Sequence, residues 1–283
     1  MSLINVDTKG LSDVLIRLCD MAEKTVGWVA SPKGSNKDFY QGLEIYKESI
    51  EKDSSLSGIE KGAKISTAKR DLRQYINQKK IIEIAENSIN PNADFENIDP
   101  DWLAFFFEYA KNISKEEIQS FWGKLLANRI NGNHEINKKI IHILAIIEDK
   151  DIDVFCKICS MTFDNDNVNK ESSKYPFIYI VASPSYYNEQ NIRRYDLYSL
   201  ADLGLVEYDK TNGFVLPVKI PILKYGETKI KLSSKDRINT GNIRLTPTGK
   251  TLFDMTERTY RDDFIGQCKQ IWETLNIKCE TIN

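Results

Sequence analysis

The segment from Ile59 to Ile89 constrains the fold of this chain more than any other, because it contains no proline and only one glycine, Gly62. Its apolar residues recur intermittently at helical spacing, which predicts a single helix of about 45 Å at a rise of 1.5 Å per residue. That length exceeds one small domain. The polar face of the helix is basic, and a solvated face is the simpler interpretation, because lysines on exposed helices are ordinary. A surface for oligomerisation or for nucleic acid is the alternative.

Apolar residues at three- and four-residue steps predict helices on both sides of this segment. Pro100, at a first helical position, begins a segment whose aromatic density is typical of a central core helix. Ser114 and Glu117 have the spacing of a capping box, which predicts that a helix starts there. That helix is expected to run over 116–130, and the remaining helices of this part are expected at 11–30, 38–53, 136–147 and 152–163.

The length of 283 residues favours two compact units, each with its own core. The polar segment 164–174 has no periodicity and is the predicted boundary between units. We therefore expect N-terminal helices over 1–57, the long helix and a helical bundle over 58–163, and a winged-helix-like module with a terminal helix over 175–283. The predicted fold class is mainly α with a smaller α+β part.

The charge and hydropathy of the chain exclude several classes of protein. A formal net charge of −2 excludes a globally basic nucleic-acid coat and leaves a local basic surface open. No apolar run reaches the roughly 18 residues that are needed to cross a bilayer. The first ten residues lack the pattern of a secretory signal. We expect a cytoplasmic protein without a membrane span.

The five cysteines are an odd number and are expected as reduced thiols. Cys156 and Cys159 form a C-x-x-C pair, whose spacing could direct two thiolates at one metal ion or support redox chemistry. A second pair of ligands is missing from the sequence. Because the apolar residues around the pair recur at helical spacing, buried thiols are the favoured interpretation.

The order of elements from Ile192 to Thr259 resembles the winged-helix fold. A helix ends at Gly204, since glycine favours a left-handed helix cap. Two β-rich segments follow at 214–223 and 228–232, and a short strand leads into the Thr-Pro-Thr-Gly that precedes another helix. In a winged helix, one helix can enter a DNA groove and a hairpin can contact the backbone. An amphipathic helix at 262–275 then closes a core or binds another subunit.

The C-terminal module is locally basic. From Ile192 to Lys250 there are eleven lysines and arginines against six aspartates and glutamates. The acidic side chains on and after its central helix would repel phosphates, so a protein-contact module is the alternative to nucleic-acid binding. The candidate phosphate-binding residues, of which those between 229 and 237 are expected on the wing, are Arg193, Arg194, Lys229, Lys231, Lys235, Arg237 and Arg244.

No catalytic residue, metal site or cofactor site is predicted. The sequence lacks a phosphate-binding loop, a dinucleotide fingerprint, a nucleophile elbow and a zinc-protease motif. Two histidines are too few for most hydrolytic triads or zinc sites. Closely spaced aspartates leave a cryptic metal-dependent nuclease open as a remote alternative. These are Asp149, Asp151, Asp153, Asp164 and Asp166.

The segment 118–130 carries a tryptophan-centred motif, W-x-x-L-L-A, formed by Trp122, Leu125, Leu126 and Ala127. These residues share one helical face and therefore describe a core. The motif resembles one in bacterial abortive-infection alpha (Abi-alpha)-like proteins and in a related bacterial family of unassigned function. The related family shares other features of this sequence. They are Arg70, Gln74, Asn77, the segment Leu203-Gly204-Leu205 and the segment 245–249.

The resemblance implies a role in phage defence and no known chemical activity. We expect a non-enzymatic interaction or scaffold protein of bacterial defence or regulation. Its expected partner is a protein or a second copy, bound through the long helix or the terminal helix. A DNA-binding regulator that acts through the winged-helix-like module is the alternative.

Overall fold

The computed structural model of the protein describes residues 12–26, 35–165, 175–176, 184–216 and 222–282. The chain divides into two compact units, the first ending at Ile146 and the second beginning at Ile147. The described residues form eleven helices and nine short strands, which confirms a mainly α fold with a smaller α+β part. None of the described helices combines the length and apolarity that a bilayer span requires.

The first unit is helical throughout its described residues. The predicted long helix is confirmed, and the first helix is described over Asp13–Val26, within the predicted 11–30, of which Leu11 and 27–30 lie outside the described residues. The helices are α1 (Asp13–Val26), α2 (Asn36–Lys52), α3 (Gly58–Glu86), α4 (Pro100–Ala110), α5 (Glu116–Ile130) and α6 (Lys138–Ile146).

Capping boxes start two of these helices, and neither is the one that was predicted. The Ser35 hydroxyl accepts a hydrogen bond from the Asp38 backbone N–H, and the Asp38 carboxylate accepts one from the Ser35 backbone N–H. Ser57 and Glu60 form the same reciprocal pair at the start of α3. The predicted box at Ser114 is wrong, because α5 begins one residue later and Lys115, at its N-cap, makes no capping side-chain hydrogen bond.

The core of the first unit centres on aromatic rings from α4 and α5. Trp122 is fully buried, with its ring centroid 5.1 Å from that of Phe106, which in turn stacks on Trp102 at 5.3 Å. The last turns of α3 bury Ile81 and Ile82 in the same unit. The core prediction for the Trp122 motif is therefore consistent with the observed packing.

The described residues of the second unit form short strands and five helices. Its helices are α7 (Asp149–Ser160), α8 (Pro184–Glu189), α9 (Arg194–Asp202), α10 (Pro247–Met255) and α11 (Asp262–Thr274). Its strands are β1 (Thr162–Asn165), β2 (Tyr175–Pro176), β3 (Val206–Tyr208), β4 (Phe214–Val215), β5 (Ile222–Tyr225), β6 (Thr228–Ser233), β7 (Asn239–Gly241), β8 (Ile243–Leu245) and β9 (Lys278–Ile282).

Three antiparallel sheets organise these strands. The largest has the order β2-β1-β5-β6-β9, and the other two are the pairs β3–β8 and β4–β7. Phe163 of β1 lies between Tyr225 and the α11 rings of Phe264 and Trp272, at centroid distances of 5.1, 5.5 and 5.8 Å. Burying these rings holds α11 against the sheet.

The segments around the predicted boundary lie partly outside the described residues. Residues 166–174 of the polar stretch and 177–181 of the expected strand lie outside the described residues. Helix α7, which the sequence groups with the helical bundle, belongs to the second unit. There Lys150 of α7 forms an ion pair with Asp196 of α9.

Candidate interaction surfaces

Two short motifs that lie forty residues apart in the sequence meet in the second unit. Gly204 has φ +72° and ends the α9 segment in the left-handed conformation that was predicted. The Thr246 hydroxyl donates to the Gly204 carbonyl, and its backbone N–H donates to the Leu205 carbonyl at 3.1 Å. The same hydroxyl accepts from the Gly249 N–H and so caps α10. This junction joins the α9–β3 turn to the β8–α10 turn.

The predicted basic residues near this junction are exposed, but one is already paired. Arg193 and Arg194 lie exposed at the start of α9. Arg244 of β8 faces Glu207 of β3, and its Nε and Nη2 donate to one carboxylate oxygen at 2.9 and 2.6 Å. Arg193 and Arg194 are therefore the stronger candidates for contact with an anionic ligand.

A row of tyrosines beside these arginines was not predicted from the sequence. Tyr195 is 82% exposed, and its ring is followed by those of Tyr198 and Tyr208 at centroid distances of 6.4 and 5.4 Å. The Lys210 ammonium lies 4.5 Å from the Tyr198 ring centroid. Aromatic faces with a neighbouring cation can stack on bases or anchor a protein partner. The three-residue spacing of Tyr195 and Tyr198 on one helix was the signal available in the sequence.

Lys229 and Lys231 belong to a different sheet from the β3–β8 pair. They alternate along β6 with buried Ile230 and Leu232, so they share the opposite face of the sheet. Lys224 of β5 is directly opposite Lys229, an arrangement that costs a few tenths of a kcal/mol or more. Carboxylates reduce the net positive charge of this sheet face, since Glu280 is opposite Lys231 and Asp164 is opposite Lys224.

Lys235 and Arg237 are exposed in the turn that follows β6. Lys278 lies opposite Ser233 and extends the same sheet face. The predicted residues are thus divided between the α9 end and the five-stranded sheet. The sequence missed Lys224 and Lys278, because their strand partners are far away along the chain.

In the first unit, α2 and the first half of α3 form an antiparallel hairpin. The stripe that α2 turns toward α3 has heptad-like spacing and includes Phe39, whose ring meets that of Tyr75 at 4.8 Å. At the other end, the Lys61 ammonium donates to the Glu51 carbonyl. No residue of α2 is buried, and none of α3 before Asn77 is buried. We call residues 36–76 the hairpin arm.

The hairpin arm exposes apolar side chains on its outer surface. Ile59 is 86% exposed, Ile45 is 65% exposed and Tyr40 is 57% exposed. Single exposed apolar residues are ordinary, but four of the nine exposed large apolar residues among the described residues lie on this arm, the fourth being Tyr46. Such a concentration is typical of a surface that packs against a partner.

Other residues that carry the family resemblance hold the first unit together. The buried Asn77 side chain donates to the Lys111 carbonyl at 2.9 Å, and Gln74 donates to Asn112 at 3.4 Å. These amides fasten the end of α4 to α3. The buried Nε1 atoms of Trp102 and Trp122 have no hydrogen-bond partner among the described residues. Ring packing therefore accounts for Trp122, while the Trp102 ring centroid also lies 5.5 Å from the Arg129 guanidinium carbon.

The described residues do not gather a group of three or more histidines, cysteines or carboxylates that could hold a metal ion. Asp149, Asp151 and Asp153 lie on α7 and Asp164 lies on β1, whereas Asp166 is outside the described residues. Cys156 is half-buried and Cys159 is buried. Burial raises the pKa of the Cys159 thiol well above its usual range, which disfavours the thiolate.

A cavity of about 410 Å³ beside α7 is lined by Cys156 and by the cations Lys157 and Arg261. Both cations have carboxylate partners. Lys157 pairs with Asp153, and Arg261 donates to both oxygens of Asp263. The cavity therefore offers little uncompensated positive charge to an anion.

Comparison with known proteins places the chain in a sequence family. Residues 64–269 match the family described as protein of unknown function (DUF2806). The match covers most of the chain and includes the Trp122 motif, the amides of α3 and the junction at Gly204, but it begins after α2. No curated protein and no solved structure matches the chain. Because the match extends over more than half of its length, the chain belongs to the DUF2806 family.

Proposed function

We propose that this protein is a non-enzymatic interaction or scaffold protein of bacterial defence or regulation, and that it binds a protein partner through the hairpin arm. The observation that carries the proposal is that neither α2 nor the first half of α3 contains a buried residue. Two helices alone bury little apolar surface, and helical stability in proteins comes mostly from tertiary packing. A partner on the outer surface of the arm would supply that packing.

The proposed role in phage defence is based on the resemblance of segment 118–130 to abortive-infection alpha-like proteins. We propose that the protein acts in the cytoplasm against phage infection. The shared residues support a structural role, because Trp122 fills a core and Asn77 fastens a turn. In this proposal, they build the scaffold that carries the interaction surfaces.

A phage-challenge experiment tests this function. Bacteria that express the full chain should form fewer plaques with at least one phage of a broad panel than bacteria with an empty vector. The double variant Ile45→Lys/Ile59→Lys should lose this protection, since two charges would stand on the outer surface of the arm. Ile146→Lys is the matched control, because Ile146 is an exposed apolar residue at the end of α6, outside the arm, at 53% exposure.

Two outcomes would contradict the proposal. If the arm variant protected as well as the wild type, the hairpin arm would not be needed for the function. If the wild type protected against none of the phages in the panel, the proposed role in phage defence would be wrong. Immunoblots of soluble protein must show equal amounts of all variants, so that a folding defect is not mistaken for lost function.

Nucleic-acid binding by a winged-helix-like second unit is the second candidate function. The observation that favours it is the exposure of Arg194 and Tyr195 on α9, immediately before the β3–β8 pair. In a winged helix, the helix at this position contacts the groove and the strand pair contacts the backbone. Lys229 and Lys231 would form a separate contact on the five-stranded sheet.

Fluorescence anisotropy with duplex DNA at several salt concentrations tests the second candidate. The variant Arg194→Glu/Tyr195→Ala should weaken binding, and Lys229→Glu/Lys231→Glu should do so only if the sheet face also contacts phosphates. Loss of a phosphate contact lowers the dependence of affinity on salt by about one unit of slope. Binding that does not respond to salt, or that survives both variants, would exclude this candidate.

A further inference from the structure

We infer that Tyr195, Tyr198 and Tyr208 of the second unit form a binding site for single-stranded nucleic acid, and we call these three residues the tyrosine row. The inference rests on the second candidate function, which places nucleic-acid binding at α9, and deepens it by naming the form of the nucleic acid. The bases of a single strand are not enclosed in base pairs, so they can stack on aromatic side chains of a protein.

The tyrosine row offers aromatic rings that are accessible to a ligand. Tyr195 is 82% exposed, whereas the α9 side chains Leu197 and Leu200 are buried. The rings of Tyr195 and Tyr198 meet at an interplanar angle of 73°, and those of Tyr198 and Tyr208 meet at 64°. Edge-to-face contacts of this kind hold the rings in place, so little conformational entropy is lost when a base stacks on Tyr195.

Two cations beside the tyrosine row have no carboxylate partner among the described residues. Arg194 is exposed and lies four residues before Tyr198, which places both side chains on one face of α9. Lys210 is exposed, and its ammonium lies against the Tyr198 ring. Because a cation–π contact at an exposed site is weak, Lys210 can also bind a phosphate. The row therefore combines base-stacking surface with charge for the nucleic-acid backbone.

The carboxylates around the tyrosine row are unevenly placed. Glu207 is paired with Arg244, and the Asp209 carboxylate accepts hydrogen bonds from two backbone N–H groups of the turn that follows it. Asp202, at the end of α9, is exposed and has no ion pair within the described part of the chain. Its charge would repel a phosphate there, so we expect the strand to lie at the Arg194 end of the helix.

The number of cations favours a single strand over a duplex. A duplex-binding protein with about six to ten phosphate contacts draws a large share of its affinity from them. At the tyrosine row the exposed cations are Arg193, Arg194 and Lys210, whereas Lys229 and Lys231 belong to another sheet. Three phosphate contacts need a second source of affinity. Stacking of a base on an aromatic ring supplies about a fivefold to hundredfold factor, and only an unpaired base can stack in this way.

Fluorescence anisotropy of the full chain with two probes tests the inference. One probe is a labelled strand of about twelve thymidines, and the other is the same strand annealed to its complement. The single strand should bind about tenfold more tightly than the duplex or better, because only its bases can stack on Tyr195. The logarithm of the association constant should fall with the logarithm of the salt concentration at a slope of about −2, as three phosphate contacts to a single strand predict.

Substitutions along α9 and after β3 locate the site. Tyr195→Ala should weaken single-strand binding by about fivefold or more, whereas Tyr195→Phe keeps the ring and should stay within about twofold of the wild type. Arg194→Gln and Lys210→Gln should each make the salt slope shallower by about 0.7. Asp202→Asn should tighten binding by about two- to fivefold, since it removes a repelling charge. Tyr40→Ala removes an exposed tyrosine from α2 and is the matched control, which should bind like the wild type.

Three results would overturn the inference. If the duplex bound as tightly as the single strand and Tyr195→Ala weakened both, the second candidate function would stand without a preference for single strands. If Tyr195→Ala did not weaken single-strand binding, the site would lie outside the tyrosine row. If neither probe bound, the second candidate function would be wrong as well, and a protein would be the partner of the row. The phage challenge with the arm variant tests the proposed function of the hairpin arm independently of all three results.

Discussion

Gly123 of α5 and Ile84 of α3 lie so close together that a Cβ on Gly123 would be 2.4 Å from Cγ2 of Ile84. It would also lie 3.2 Å from the Ala85 backbone nitrogen, so the side chain of Ile84 cannot solve the clash alone. In the sequence, Gly123 is a helix-weakening residue inside the W-x-x-L-L-A motif, at about 1 kcal/mol relative to alanine. The close approach of the two helices explains why a glycine occupies this position.

We predict that Gly123→Ala destabilises the first unit. The gain in helix propensity is about 1 kcal/mol, and overpacking at a helix crossing costs about 1–3 kcal/mol; because the clash at 2.4 Å is severe, we expect the upper part of that range and a net loss of up to about 2 kcal/mol. The urea midpoint of unfolding should fall. Gly62→Ala is the matched control on α3, because a Cβ there meets nothing within 4 Å, and it should raise the midpoint slightly. A Gly123→Ala protein as stable as the control would show that the helices do not cross this closely.

Gly249 is constrained more strongly, because a Cβ there would lie 1.9 Å from the Leu205 carbonyl oxygen. This atom belongs to the backbone and accepts a hydrogen bond from Thr246. We predict that Gly249→Ala costs the second unit about 3 kcal/mol and lowers its thermal unfolding temperature. Gly266→Ala on α11 is the control, since nothing lies within 4 Å of its Cβ. Equal unfolding temperatures for the two variants would contradict the junction at Leu205.

Features set by local sequence were predicted from the residues alone. The long helix α3 ends at Glu86, three residues before the predicted end, and Gly204 has the expected positive φ. Helix α11 ends at Thr274, one residue before the prediction. The two helix ends depend on helical periodicity, and the positive φ depends on the conformational freedom of glycine. Both effects are determined by residues close together in the sequence.

Pairings between distant strands could not be predicted in the same way. β6 was expected on a wing, but its neighbours in the sheet are β5 and β9, and β9 begins at Lys278. Alternation along a strand shows which face is buried but not which strand lies beside it. The sequence therefore identified Lys229 and Lys231 on this sheet face but not Lys224 and Lys278. Local capping signals were also ambiguous, since Ser35 and Ser57 cap helices whereas Ser114 does not.

We predict that the cysteines react with N-ethylmaleimide in order of exposure. Cys159 and Cys268 are buried, and burial raises the pKa of both thiols well above the usual range. Burial also raises the pKa of Cys19 to about 11. At pH 8, mass spectrometry of peptides should therefore show Cys156, which is half-buried, labelled before these three. Denaturant should equalise the rates, and early labelling of Cys159 would contradict the packing of α7.

The ion pair between Asp196 and Lys150 gives the second unit a defined dependence on pH. Burial tends to raise the pKa of Asp196, which is 4% exposed, but hydrogen bonds from Lys150 and from the Arg193 backbone N–H outweigh it and lower the pKa. A lowered pKa in the folded state means that the stabilisation is complete above the unfolded pKa, about 4. It is lost as the pH falls through the lower folded value.

Asp196→Asn should therefore reduce the free energy of unfolding at pH 7 by about 1–3 kcal/mol, because a charged acceptor of two hydrogen bonds is lost. The difference from the wild type should begin to shrink as the pH falls below about 4, where Asp196 becomes protonated in the unfolded state, and should be smallest below the lowered folded pKa, where it is protonated in both states of the wild type. Lys150→Met should cost less at pH 7, because Asp196 keeps the hydrogen bond from the Arg193 N–H. Urea titrations from pH 2.5 to 7 measure all three proteins. If the difference between the wild type and Asp196→Asn stayed constant over this range, Asp196 could not be the group whose charge secures α9 to α7.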